Sequence, residues 1–171
     1  MERIPVKYKI VPGLLLALLF SCAPSRSGRA FDWRTDLPAA AEEARQGQKL
    51  LLLNFSGSDW CGWCQRLDAE VFSTDTFRAY AAANLIAVLA DFPRRAKLEP
   101  ALQARNERLM RHFGVQGFPT VLLFSPDGEL VGELGYQPGG PAAFIQSIQQ
   151  VRARADPRSP DLPPGPKLPR D

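Results

Sequence analysis

At 171 residues the chain has room for one domain and its flanking segments. Its formal charge of +3 comes mostly from Arg3, Lys7 and Lys9 set against Glu2; beyond them 18 basic and 17 acidic residues remain. A near-neutral body with no basic stripe interleaved with aromatics gives no support to nucleic-acid binding.

The basic start leads into an apolar run over residues 10–20, followed by small residues. Eleven helical residues rise about 16 Å, roughly half of a hydrocarbon core that needs around 20. The run therefore reads as the h-region of an export signal rather than a membrane span. It ends Leu19-Phe20-Ser21-Cys22, which resembles the lipobox of bacterial lipoproteins. That resemblance implies a signal peptide over 1–22, lipid on Cys22, and a chain anchored on the periplasmic side of a bacterial membrane. A plain secretory signal cut after Ala23 or Ala30 is the alternative, and either one takes the domain out of the cytosol. Residues 23–30, rich in Ser, Pro, Gly and Arg, read as a flexible tether, and 31–155 as the folded domain.

Within that domain Asp36 as cap, Pro38 in the first turn, an alanine-rich body and Gly47 beyond it predict a helix. Residues 49–55 are a nearly unbroken apolar run, the mark of a strand covered on both faces. Helical spacing returns over 65–72, and Ser73 is placed to cap a short helix holding Phe77 and Tyr80. A second buried strand covers 85–89, and an amphipathic helix covers 97–113, ended by Gly114. Strands over 120–124 and 129–136 flank Ser125-Pro126-Asp127-Gly128, a hairpin signal. Pro141 opens a last helix with Phe144, Ile145, Ile148 and Val151 on its apolar side. Six prolines over 156–171, with little to bury, read as a disordered or extended tail. The order predicts an α/β domain with a central mixed sheet of about four strands and helices on both faces.

Three cysteines are present. With Cys22 assigned to the lipid, Cys61 and Cys64 remain as a C-x-x-C pair between a buried strand and a helix. There is no framework of structural disulfides, so the pair is read as chemical. At a helix start the free amides and the dipole favour a thiolate. Cys61, expected to be exposed there, is read as the nucleophile, and Cys64, one turn inward, as the resolving thiol. A zinc site would need about two further ligands; His112 is the single histidine and reads as a surface residue. No metal and no cofactor beyond the redox-active pair are expected.

The run Asn54-Phe55, then Gly57-Ser58-Asp59-Trp60-Cys61-Gly62-Trp63-Cys64, together with Gly117-Phe118-Pro119-Thr120, resembles the thioredoxin superfamily over roughly 33–151. Closest is the group carrying a Gly-Ser-Asp-Trp-Cys-x-Trp-Cys run. The resemblance implies a thioredoxin-like fold in which Pro119 is cis and faces the dithiol, while Phe118 offers its backbone to a substrate. Trp60, Gly62 and Trp63 would line the same groove, although either tryptophan could equally cover core.

Three departures stand out. Asn54 lies nearest the place of a buried relay aspartate, with one extra residue before Cys61, and cannot act as a base. Asp59 is the nearest carboxylate in sequence, where a turn cap competes with an acid–base role. Trp63 replaces the usual Pro between the cysteines. The implied activity is thiol:disulfide exchange with exported proteins, with a membrane electron donor if it runs as a reductase. The alternative is a redox-inactive binding module on the same fold.

Overall fold

A computed structural model describes residues 32–154 and 166–169. The expected export signal over 1–22, Cys22 and the expected tether over 23–30 lie outside the described residues. Helix α1 (Leu37–Gly47) starts where expected, because the Asp36 side chain accepts the Ala39 amide and Pro38 stands in the first turn. It ends one residue later than read: Gln48, at φ 49°, takes the left-handed cap in place of Gly47.

Strand β1 (Leu50–Ser56) is buried along its whole length. Its side chains alternate between two cores, as a strand's must. Leu50 and Leu52 join Phe72, Phe77 and Phe144 on one face, and Leu51, Leu53 and Phe55 join Leu109, Leu122 and Phe124 on the other. Burying a side chain of this size contributes about 1.5–3 kcal/mol, so β1 anchors both layers.

After β1 comes α2 (Gly62–Leu67), which widens into a π-helical turn at Asp68–Phe72. Helix α3 (Asp75–Asn84) is capped by Thr74, whose hydroxyl oxygen accepts the Phe77 amide. Ser73, the expected cap, donates instead to the Asp68 carboxylate. Strand β2 (Leu85–Asp91) follows, then α4 (Pro100–His112). Helix α4 starts three residues later than its periodicity suggests, because the Glu99 carboxylate accepts the Leu102 amide and Pro100 occupies the first turn. Strands β3 (Thr120–Phe124) and β4 (Leu130–Leu134) form the hairpin, with a register irregularity at Leu123/Phe124. Helix α5 (Gly140–Arg154) completes the domain.

The sheet order is β2-β1-β3-β4, with β1 and β2 parallel and the other neighbours antiparallel. This is the thioredoxin-like arrangement that the sequence implies. Ahead of α1, Arg34 makes a one-residue parallel bridge to Val88, and no longer opening strand is formed among the described residues.

Register decides where the chemistry sits. Ser56 pairs with Asp91, and Phe55 with Thr120. The end of β1, the end of β2 and the start of β3 therefore share one pole of the sheet.

Of the tail read as disordered or extended, residues 166–169 are described, and they lie extended along the hairpin. The Leu130 amide donates to the Pro166 carbonyl, and the Leu168 amide donates to the Gly128 carbonyl. Leu168 packs on the α1–α4 core, and Lys167 pairs with Glu129 at 3.1 Å. Proline lacks an N–H but keeps its carbonyl, so a Pro-rich segment can still bond to a hairpin edge when one leucine finds an apolar seat.

Candidate active site

Cys61 and Cys64 form a disulfide at the start of α2. Cys61 is the cap residue, and the Cys64 amide donates to its sulfur at 3.2 Å. The Cys61 amide in turn donates to the Gly57 carbonyl at 2.8 Å, which closes the turn between β1 and α2. Cys61 is 7% exposed and Cys64 5%, so the expected open Cys61 is corrected: in the disulfide both cysteines are buried. Gly62 is the first helical residue, and no heavy atom lies near the place of its missing Cβ. The peptide bond between Phe118 and Pro119 is cis.

One side of the dithiol is fastened to the loop after β2. The Asp59 carboxylate accepts the amides of Arg94, Arg95 and Ala96 at 2.9, 2.7 and 3.0 Å. The amides of Arg94 and Ala96, and then that of Arg95, hold its carboxyl below the usual range. A carboxylate engaged this way is a clamp, which is the turn-cap reading of Asp59. The Trp60 indole donates to the Phe92 carbonyl at 2.7 Å, and the Arg94 guanidinium lies 3.6 Å over its ring. Phe118 meets the Trp60 ring edge-on at 6.0 Å and stacks on Phe92 at 5.0 Å. Asp91 accepts both the amide and the hydroxyl of Ser58. Thus Trp60 and Phe118, both expected at the groove, are brought into contact in one aromatic wall with Phe92.

On the other side Trp63 is the exposed tryptophan, 56% accessible. It lies 5.0 Å from the Tyr136 ring. Tyr136 donates to Glu70 at 2.8 Å, and Arg66 pairs with the same carboxylate at 2.7 Å. The Arg66 bond, then the Tyr136 bond, holds the Glu70 carboxyl low; burial, then the Glu70 bond, pushes the Tyr136 phenol up. Trp63 therefore lies on a braced platform.

Beneath the disulfide a cavity of about 300 Å³ is lined by Trp33, Asn54, Ser56, Ser58, Cys64, Gln65, Asp68 and Leu89. Asn54 is 5% exposed, and its carboxamide oxygen has no hydrogen-bond partner. The position nearest that of a relay acid thus holds a neutral amide against the Cys64 side of the site. His112 lies apart from these groups, at the end of α4, with its ring against Phe113.

Sequence reasoning missed Phe92, Arg94, Tyr136 and Glu70. Their contacts join residues tens of positions apart, and none carries a motif of its own. The one available signal was Asp59, a short acid in a turn and therefore a candidate to bond backbone amides.

A family model described as a thioredoxin-like domain matches residues 37–152. The chain is 28% identical to the disulfide bond reductase DsbH of Chlamydia pneumoniae over 151 residues, covering 81% of this chain and 91% of that protein. It is 31% identical over 86 residues to the thiol:disulfide interchange protein DsbD of Actinobacillus pleuropneumoniae serotype 5b (strain L20), covering 50% of this chain and 13% of that protein. A solved DsbH oxidoreductase matches the fold with a TM-score of 0.68 and 26% identity, covering 76% of this chain and 91% of that one.

Proposed function

The chain belongs to the thioredoxin-like family, and from that premise we propose that it is an extracytoplasmic thiol:disulfide oxidoreductase working through Cys61 and Cys64 in the reducing direction. The observation that carries this reading is the Cys61–Cys64 bond at the cap of α2, with the Cys64 amide aimed at the Cys61 sulfur. A hydrogen bond and helix-start amides directed at a sulfur favour the thiolate once the bond is opened. The likeness to a protein named as a disulfide bond reductase, over 91% of its length, supports the direction.

In the reduced chain the Cys61 thiolate attacks one sulfur of a substrate disulfide, forming a mixed disulfide and releasing the other substrate thiolate. Cys64, deprotonated, then attacks the Cys61 sulfur. The Cys61–Cys64 bond forms, the second substrate thiolate leaves, and two electrons have passed to the substrate. Regeneration takes two electrons from a dithiol on a partner protein, which outside the cytosol would be supplied through a membrane protein. Trp60, Gly62, Trp63, Phe118 and Pro119 are proposed to line the groove that receives the substrate. Residues 1–22 are proposed as the export signal, with Cys22 as a lipid anchor holding the domain on the periplasmic side.

The test is insulin reduction together with trapping. Cys61→Ser is expected to abolish reduction, and Cys64→Ser to accumulate mixed disulfides. Activity persisting in Cys61→Ser would refute the assignment. A reduction potential near −270 mV supports the reducing direction, and one near −120 mV reverses it. Intact mass of membrane-extracted protein reports on Cys22; a soluble, unmodified chain starting beyond it contradicts the anchor.

A further inference from the structure

The two walls of the dithiol face differ in charge. The register of β1 with β2 brings the loop after Asp91 to the same pole as the disulfide. That loop presents Arg94, Arg95 and Lys97, all exposed. Of the neighbouring carboxylates, Asp59 accepts three backbone amides and Asp91 accepts Ser58 and the Phe92 amide. Glu99, exposed beside Lys97, is engaged as the cap of α4 by the Leu102 amide, so three cations face one exposed carboxylate. Among the described residues none of the three cations is held in an ion pair, and Arg94 rests on the Trp60 ring. Across the dithiol, the Trp63–Tyr136 wall carries one cation, Arg66, already paired with Glu70. One side is therefore cationic and held in place; the other is aromatic and locally neutral.

We propose that this face selects polypeptide segments with acidic residues beside the target cysteine, the carboxylates being read by Arg94, Arg95 and Lys97 and an apolar neighbour resting on Trp63. This substrate class rests on the thiol:disulfide exchange proposed above. The physical basis is complementarity at the moment of encounter. A polypeptide approaching the disulfide pole passes fixed positive charge on one side, which raises its association rate and fixes its direction across the groove. The rim is solvent-exposed, so each charge adds only a few-fold and the effect depends on salt. The loop is already clamped to Asp59 and Trp60, so little ordering opposes binding.

The experiment mixes the pre-reduced full chain with three peptides, alike except that each disulfide is flanked by Glu, Ser or Lys. The readout is the second-order rate of peptide reduction at low and high salt. The expected order is Glu, then Ser, then Lys, with about tenfold between the extremes at low salt and near equality at high salt. Arg95→Glu combined with Lys97→Glu should invert the order, and the milder Arg95→Gln with Lys97→Gln should flatten it. Equal rates for the three peptides with the unmodified chain at low salt would overturn the acidic preference and leave the exchange activity standing. An unchanged order in the charge-reversed chain would likewise overturn it. Reduction of none of the peptides would instead bring down the exchange reading itself, and the inference with it.

Discussion

The Asp59 carboxylate accepts the amide of Arg94 at 2.9 Å across 35 residues of chain, and through this contact the residue two before Cys61 governs the loop beyond β2. Because Arg95 and Ala96 donate to the same carboxylate, the loop is fixed by its backbone and its side chains remain free to face outward.

The first prediction follows from that clamp. The Asp59 pKa is lowered in the folded chain, against about 3.9 when unfolded. Its contribution to stability is therefore present above the unfolded pKa and lost as pH falls through the lower folded value. In urea unfolding, the unmodified chain should exceed Asp59→Asn most near neutrality, and the gap should close as the pH falls below the ordinary carboxylate range. A gap that does not change with pH would contradict the clamp.

Gly57 lies directly beneath the indole of Trp60. A Cβ there would sit 2.5 Å from Cε2 and 2.6 Å from Nε1 of that ring. Gly57→Ala should displace the indole from the Phe92 carbonyl and destabilise the fold by about 1–3 kcal/mol, as overpacking does. The Trp60 indole N–H resonance should shift in NMR, and an unmoved resonance with unchanged stability would refute the contact.

Asn54 leaves a buried carboxamide oxygen without a partner. An unsatisfied buried polar atom costs about 1–3 kcal/mol, so Asn54→Leu, of the same branched shape and with the adjoining cavity to take its larger methyl groups, should raise the unfolding free energy of the oxidised chain by about 1 kcal/mol. Unchanged or lower stability would mean that water enters the cavity beside Cys64 and bonds this oxygen.

The strap formed by 166–169 should carry measurable stability. Truncation after residue 165 removes the Leu168 contact and the bonds to Gly128 and Leu130. The expected loss is about 1–2 kcal/mol, seen as a lower urea midpoint. Identical midpoints would show that the strap contributes nothing.

Much of the fold was legible because its signals are local. Asp36 with Pro38 starts α1, the apolar run makes β1 a central strand, and Pro126-Asp127-Gly128 turns the hairpin; each is settled within a few residues of chain. Where local signals compete, the finer choice was not readable, as at Ser73, which bonds Asp68 while Thr74 caps α3.

By itself the sequence determined that there is a C-x-x-C pair between a buried strand and a helix, and that Phe118-Pro119 precedes a strand in a thioredoxin-like order. Only the tertiary structure decided what surrounds the pair: Asp59 under the Arg94 loop, Trp63 against Tyr136, Asn54 unpartnered beside Cys64, and Leu168 seated on the core. The physical reason is that helix caps, turns and buried strands depend on neighbours in sequence. These contacts instead depend on strand register, which brings Ser56, Asp91 and Thr120 to one pole, and no periodicity in the chain encodes them.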